Sequence, residues 1–166
     1  MAESAGVLDV DVIVEADAWA AHGDLPERLE RALTMAAAEE GGAGAVALLL
    51  ADDAALRALN HEWRGKDKPT NVLSFPAPPI PGMPQPHMGD IALAFETVAA
   101  EAADQGKSFA DHATHLAVHG FLHLIGYDHE NGADAEHMEA RERAILAKMG
   151  IADPYESWRA TDNMGK

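Results

Sequence analysis

With 166 residues, 17.6 kDa and no cysteine, the chain has the length of one compact domain, residues 1–166, and excludes disulfides, a thiolate nucleophile and cysteine-type zinc sites. A formal charge of −16, from 28 acidic and 12 basic side chains, excludes a general positive field of the kind that coats nucleic acid. The longest apolar run, AGAVALLLA at 43–51, falls short of the roughly 20 residues of a membrane span, so no membrane partner is expected.

In chain order, MAESAGVLDVDV has an acid before any base and lacks the basic and apolar regions of a secretory signal, which predicts a cytoplasmic protein. LDVDVIVE at 8–15 alternates apolar with mostly acidic residues and predicts a half-buried strand. Asp24 with Glu27 predicts a capping box, followed by a helix with Leu29, Leu33 and Ala36 on one face and GGAG at 41–44 as its stop. VALLLA at 46–51 predicts a second strand, parallel to the first through a right-handed crossover. Asp52 or Asp53 then opens a helix with Leu56, Leu59 and Trp63 on one side.

Arg64, Lys66 and Lys68 put three of the 12 basic residues into five positions, a local positive patch. NVLSF at 71–75 predicts a short strand, and the prolines from Pro76 to Pro86 a long surface loop. MGDIALAF at 88–95 returns as a strand, and a helix over about 96–105 ends at Gly106. Ser108 with Asp111 opens the next helix, and a last amphipathic helix runs from about Asp134 to Met149. These elements predict an α+β fold, a small mixed sheet packed against several helices.

HGFLHLIGYDH at 119–129 carries the chemistry. His119 and His123, four apart on a helix, stand about 40° apart in azimuth and about 6 Å in rise, so their imidazoles can converge on one ion. Gly126 is suited to end the helix and turn the chain so that His129 returns to the same ion. Three neutral imidazoles leave a fourth tetrahedral position for water, the arrangement of a catalytic zinc site, with one Zn²⁺ per chain. His115 shares the helix face, either as a hydrogen-bonding partner to a ligand or as packing, while His112, His22, His61, His87 and His137 read as ordinary residues. Gly120 stands where a metalloprotease carries its catalytic glutamate, and it clears space beside the ion that a phosphate and ribose would use.

The stretches LNHEWRGKDKPTNVLSFP (59–76), MGDIAL (88–93), HATHLAVHGFLHLIGYDH (112–129) and EHMEARERAILAKMGIADPY (136–155) together resemble the YbeY family of bacterial rRNA-maturation endoribonucleases. The resemblance covers most of the chain, and the histidine motif with glycine in second place is its most specific part. It implies a zincin-like metal-binding helix and zinc on His119, His123 and His129. It implies single-strand-specific endoribonuclease activity in 16S rRNA 3′-end maturation and ribosome quality control, with RNA and the ribosome or its small subunit as partners. Arg64 is carried over as a residue needed for function, and its guanidinium fork suits a phosphate. Asn71 stands where many members have Asp.

Lys66, Lys68 and Asp90 complete the candidates. Asp90 could orient a ligand histidine, shape the substrate groove or cap a turn. Ser74 reads as structural rather than phosphate-binding, and Met138 as core. Two rival functions remain open at this level: a metzincin-like metallopeptidase, opposed by Gly120, and a non-catalytic ribosome assembly factor that keeps zinc for stability.

Overall fold

A computed structural model of the chain describes residues 8–66, 70–77, 87–127 and 131–155. His129, Lys68 and the prolines from Pro78 to Pro86 lie outside the described residues. Strand β1 (Leu8–Val14) is followed by a 3₁₀ turn (Asp17–His22), helix α1 (Leu25–Glu40), β2 (Gly44–Ala51), α2 (Asp53–Arg64), β3 (Val72–Pro76), β4 (His87–Ala94), α3 (Phe95–Gln105), α4 (Phe109–Leu124) and α5 (Gly132–Lys148). The strand order is β1-β2-β4-β3, with the first three parallel and β3 antiparallel at the edge, so the fold is α+β with a mixed sheet, as the sequence predicts.

Helices α1 and α4 cover one face of the sheet, with α5 packed behind them, and α2 lies against the other. The larger core cluster fills the first side with Leu29, Leu33, Ile91, Phe121 and Leu122, all fully buried. Each such side chain contributes about 1.5–3 kcal/mol relative to staying exposed. A smaller cluster of Ala51, Leu56, Leu73, Ala92 and Ala94 fills the second side.

Several boundaries follow from local chemistry. Asp52, rather than Asp53, caps α2, accepting from the Ala55 amide at 2.9 Å. Ser108 caps α4 by accepting from the Asp111 amide at 3.0 Å. Helix α5 begins at Gly132, two residues earlier than predicted, because Asn131 accepts from the Asp134 amide at 2.9 Å and donates to its carboxylate at 2.8 Å. The predicted capping box at Asp24 does not form: α1 starts without a side-chain cap, with Pro26 in its first turn needing none of its own amide. The 3₁₀ turn escaped the sequence reading; it buries Trp19 completely and lets its indole donate to the Ala51 carbonyl at 2.8 Å.

At Gly89 the β3–β4 pair closes so tightly that a Cβ would stand 2.3 Å from the Phe75 carbonyl oxygen. Its φ of 148°, beside a one-residue register shift against β2, marks a bulge that only glycine occupies comfortably.

Candidate metal centre and adjoining cleft

Helix α4 is apolar nearly all round, so His112 and His115 are buried among its apolar side chains, while His119 and His123 are half-buried. The His119 and His123 rings lie 4.7 Å apart between centroids, the convergence their spacing predicts. After Leu124 the helix stops, Gly126 takes a φ of 106°, and the Tyr127 amide returns to the Leu122 carbonyl at 3.0 Å. Tyr127 is then pinned, donating to Glu40 at 2.5 Å and stacking on His137. The described chain ends its turn at Tyr127, and His129 lies outside the described residues. Among the described residues no three His, Asp or Glu side chains stand placed to hold a metal. The described part of the predicted trio is His119 and His123.

The residue that organises this site is Glu142, which the sequence reading did not single out. It projects from α5 with no solvent exposure. One carboxylate oxygen accepts from His115 Nε2 at 2.6 Å and from the Tyr155 hydroxyl at 2.5 Å, and the other accepts from His119 Nδ1 at 2.9 Å. Burial pushes the Glu142 carboxyl up, but the hydrogen bonds and charge of His115 and His119 overcome this and hold it at about 2. Burial pushes His115 down, against the Glu142 hydrogen bond and charge that raise it, and its Nδ1 is buried with no hydrogen-bond partner. The Tyr155 hydroxyl is pushed upward by burial and by the Glu142 charge. Nδ1 of His119 is committed to Glu142, the kind of carboxylate contact that fixes an imidazole's tautomer and ring orientation. A signal existed in the sequence: Glu142 interrupts the apolar stripe Met138, Ile145, Leu146, and an acid there must have partners.

His115 thus proves a hydrogen-bonding neighbour of a candidate ligand rather than mere packing. His112, read as an ordinary residue, is buried, and its Nε2 lies 2.9 Å from Glu101. Glu101 also accepts from the Asn71 amide at 3.0 and 3.3 Å. Burial raises the Glu101 carboxyl, and these two partners bring it below its usual value. An amide at position 71 therefore serves as a donor, where an aspartate would set two carboxylates against each other. These groups, with Lys107, His115, His119 and Tyr155, line a cleft of about 560 Å³.

Gly120 does not do what the sequence suggested. A Cβ there would meet Ile91 Cγ2 and Ser74 Oγ at 2.9 Å and Val72 Cγ2 at 3.3 Å. The space goes to the close approach of α4 to β3 and β4, and Ser74 Oγ crosses it to donate to the Gly120 carbonyl at 2.9 Å. Ser74 is structural, as read, and Met138 is core. Asp90 is also corrected as a partner to His119 or His123. Ile91 faces α4, so the alternation of β4 sends Asp90 to the opposite face, where it pairs with His87 at 2.9 Å and lines a separate cleft with Arg64. Arg64 and Lys66 line a further cleft with Asn71 and Glu101.

Residues 15–150 match the family profile described as Endoribonuclease YbeY. The chain belongs to the YbeY family. A YbeY endoribonuclease of Nitrobacter winogradskyi is 51% identical over 87% of this chain and 80% of that protein. One from a Chelativorans species is 52% identical over 92% of this chain and 96% of its own. A Thermotoga maritima protein with a solution structure shares the fold, at 24% identity and a TM-score of 0.59 over 92% of this chain and 93% of that one. YbeY membership places the chain among hydrolytic endoribonucleases rather than peptidases.

Proposed function

We propose that the chain is a zinc-dependent endoribonuclease that cuts single-stranded RNA, acting in the cytoplasm in 16S rRNA 3′-end maturation and ribosome quality control. His119, His123 and His129 hold one ion per chain. The observation that carries this reading is Glu142: a fully buried carboxylate that bonds His119 Nδ1, as the carboxylate behind a metal-ligating histidine does, beside the His119–His123 pair. When bound, zinc lowers the pKa of its water to about 7 and neutralises charge on a phosphodiester oxygen.

The protein's own groups do the rest. Glu142 holds His119 in place: buried behind it and bonded to Nδ1, it orients the imidazole. Phosphoryl chemistry on a metal-activated water demands less of a separate carboxylate than peptide hydrolysis does, which fits a site with packing glycine at position 120. Arg64 offers its fork to a phosphate and offsets charge in the transition state, with Lys66 and Lys68 drawing the strand in. The described helices include none long and apolar enough to cross a membrane.

The test is made in a bacterium whose own gene for this protein is deleted. The parent chain is expected to restore mature 16S 3′ ends, and His123→Ala to leave precursor uncut while the purified variant loses most of its zinc. Full rescue by a variant that holds no metal would reject the proposal. Retention of a full zinc equivalent by His123→Ala, with loss in His115→Ala, would reject the ligand assignment.

A further inference from the structure

Helix α2 carries Leu56, Leu59 and Trp63 along one side, as the sequence predicts. Leu56 is buried, but Trp63 is 66% exposed, the most exposed large apolar side chain among the described residues. Its indole lies 6.0 Å from the Phe75 ring at 52°, and both rings, with Leu49 and Leu59, line a cleft of about 630 Å³ on the sheet face away from the histidines. Holding an indole open to water beside an apolar cleft has a reason when something flat and apolar covers it.

We propose that Trp63 and Phe75 form a base-stacking platform for single-stranded RNA, an anchoring subsite apart from the cutting site; this rests on the endoribonuclease reading. Aromatic faces accept any unpaired base, and a duplex keeps its bases out of reach.

Charge and continuity select RNA over a protein partner. In a chain of net charge −16, Arg28, Arg141 and Lys148 are each held by a carboxylate, whereas Arg64 and Lys66 have no carboxylate partner among the described residues. Arg64 lines the Trp63 cleft and also the next one, with Lys66, Asn71 and Glu101. Asn71 and Glu101 in turn line the cleft that holds His119. A strand stacked at Trp63 would thus pass phosphates across Arg64 and arrive at His119. Asp90, which also lines the Trp63 cleft and pairs there with His87, repels phosphate but can accept from a base amino group, so it favours a base there over backbone.

The experiment measures binding of a labelled single-stranded RNA oligonucleotide to the full chain in chelator, so that binding is read without cleavage. Trp63→Ala is expected to weaken binding at least about fivefold, and Trp63→Phe to keep most of it. Its salt dependence should match the parent's, while Arg64→Ala lowers the slope by about one. Duplex RNA of the same sequence should bind Trp63→Ala and the parent alike. Parent-like binding of single strands by Trp63→Ala overturns the platform, as does equal loss for single strands and duplex. Unchanged RNA affinity with lost association to small ribosomal subunits would reassign the cleft to a protein. Cleavage is assayed separately with the metal-loaded parent: its absence would sink the endoribonuclease reading and leave the binding result standing.

Discussion

The two faces of the sheet treat polar groups in opposite ways. On the α4 side, Glu142 is fully buried with three donors on its carboxylate, and Gly120 is packed so closely that no Cβ fits. On the α2 side, an indole stands two-thirds exposed at a cleft, beside an arginine whose guanidinium has no carboxylate partner among the described residues. On the proposed function the difference is a division of labour: groups proposed to hold a metal in fixed geometry are clamped from behind, and groups proposed to meet a long, variable substrate are left accessible.

The comparison breaks most sharply at the border between the faces. Arg64→Ala should leave zinc content unchanged while cutting RNA cleavage by roughly 10²-fold, the usual cost of losing one donor to a charged transition state. Arg64→Lys should recover part of that loss, since a point charge lacks the fork. Undiminished cleavage by the alanine variant would remove Arg64 from the chemistry.

The clamped side is tested next. Glu142→Gln keeps the shape but forfeits the charge that draws three donors together, and it should weaken zinc binding by about 10–100-fold in competition with a chelator. Tyr155→Phe removes one donor and should cost less. Parent-like zinc affinity in Glu142→Gln would reduce Glu142 to a packing residue.

The smallest effect concerns packing alone. Gly120→Ala should destabilise the fold by about 1–3 kcal/mol in urea unfolding, because its methyl needs room that Ile91 and Ser74 occupy. Gly132→Ala, at an open position in the first turn of α5, should be neutral or slightly stabilising. Equal stability of the two variants would contradict the close approach of α4 to the sheet.

Most of the fold was legible because its elements announce themselves locally: alternation in β1, the caps at Asp52 and Ser108, and glycine stops at Gly41 and Gly106. What was not legible depended on neighbours distant in sequence. Trp63 matches the apolar period of α2, yet it is 66% exposed, and the period alone does not tell which of its residues are covered. Gly120 was noticed for what it lacks, and only the packing of β3 and β4 reveals why. The His119–His123 pair was readable from helical spacing, whereas Glu142 comes from a helix 23 residues further on. Glu101, Asn71 and His112 meet only once β3, α3 and α4 are assembled.

The central claim is that a metal on the clamped side does the cutting. Its most direct test is zinc content and single-stranded RNA cleavage measured on one preparation before chelation, after it, and after zinc is restored. The account predicts one zinc per chain, cleavage lost with the metal, and cleavage regained with zinc. Undiminished cleavage by protein freed of metal would contradict it.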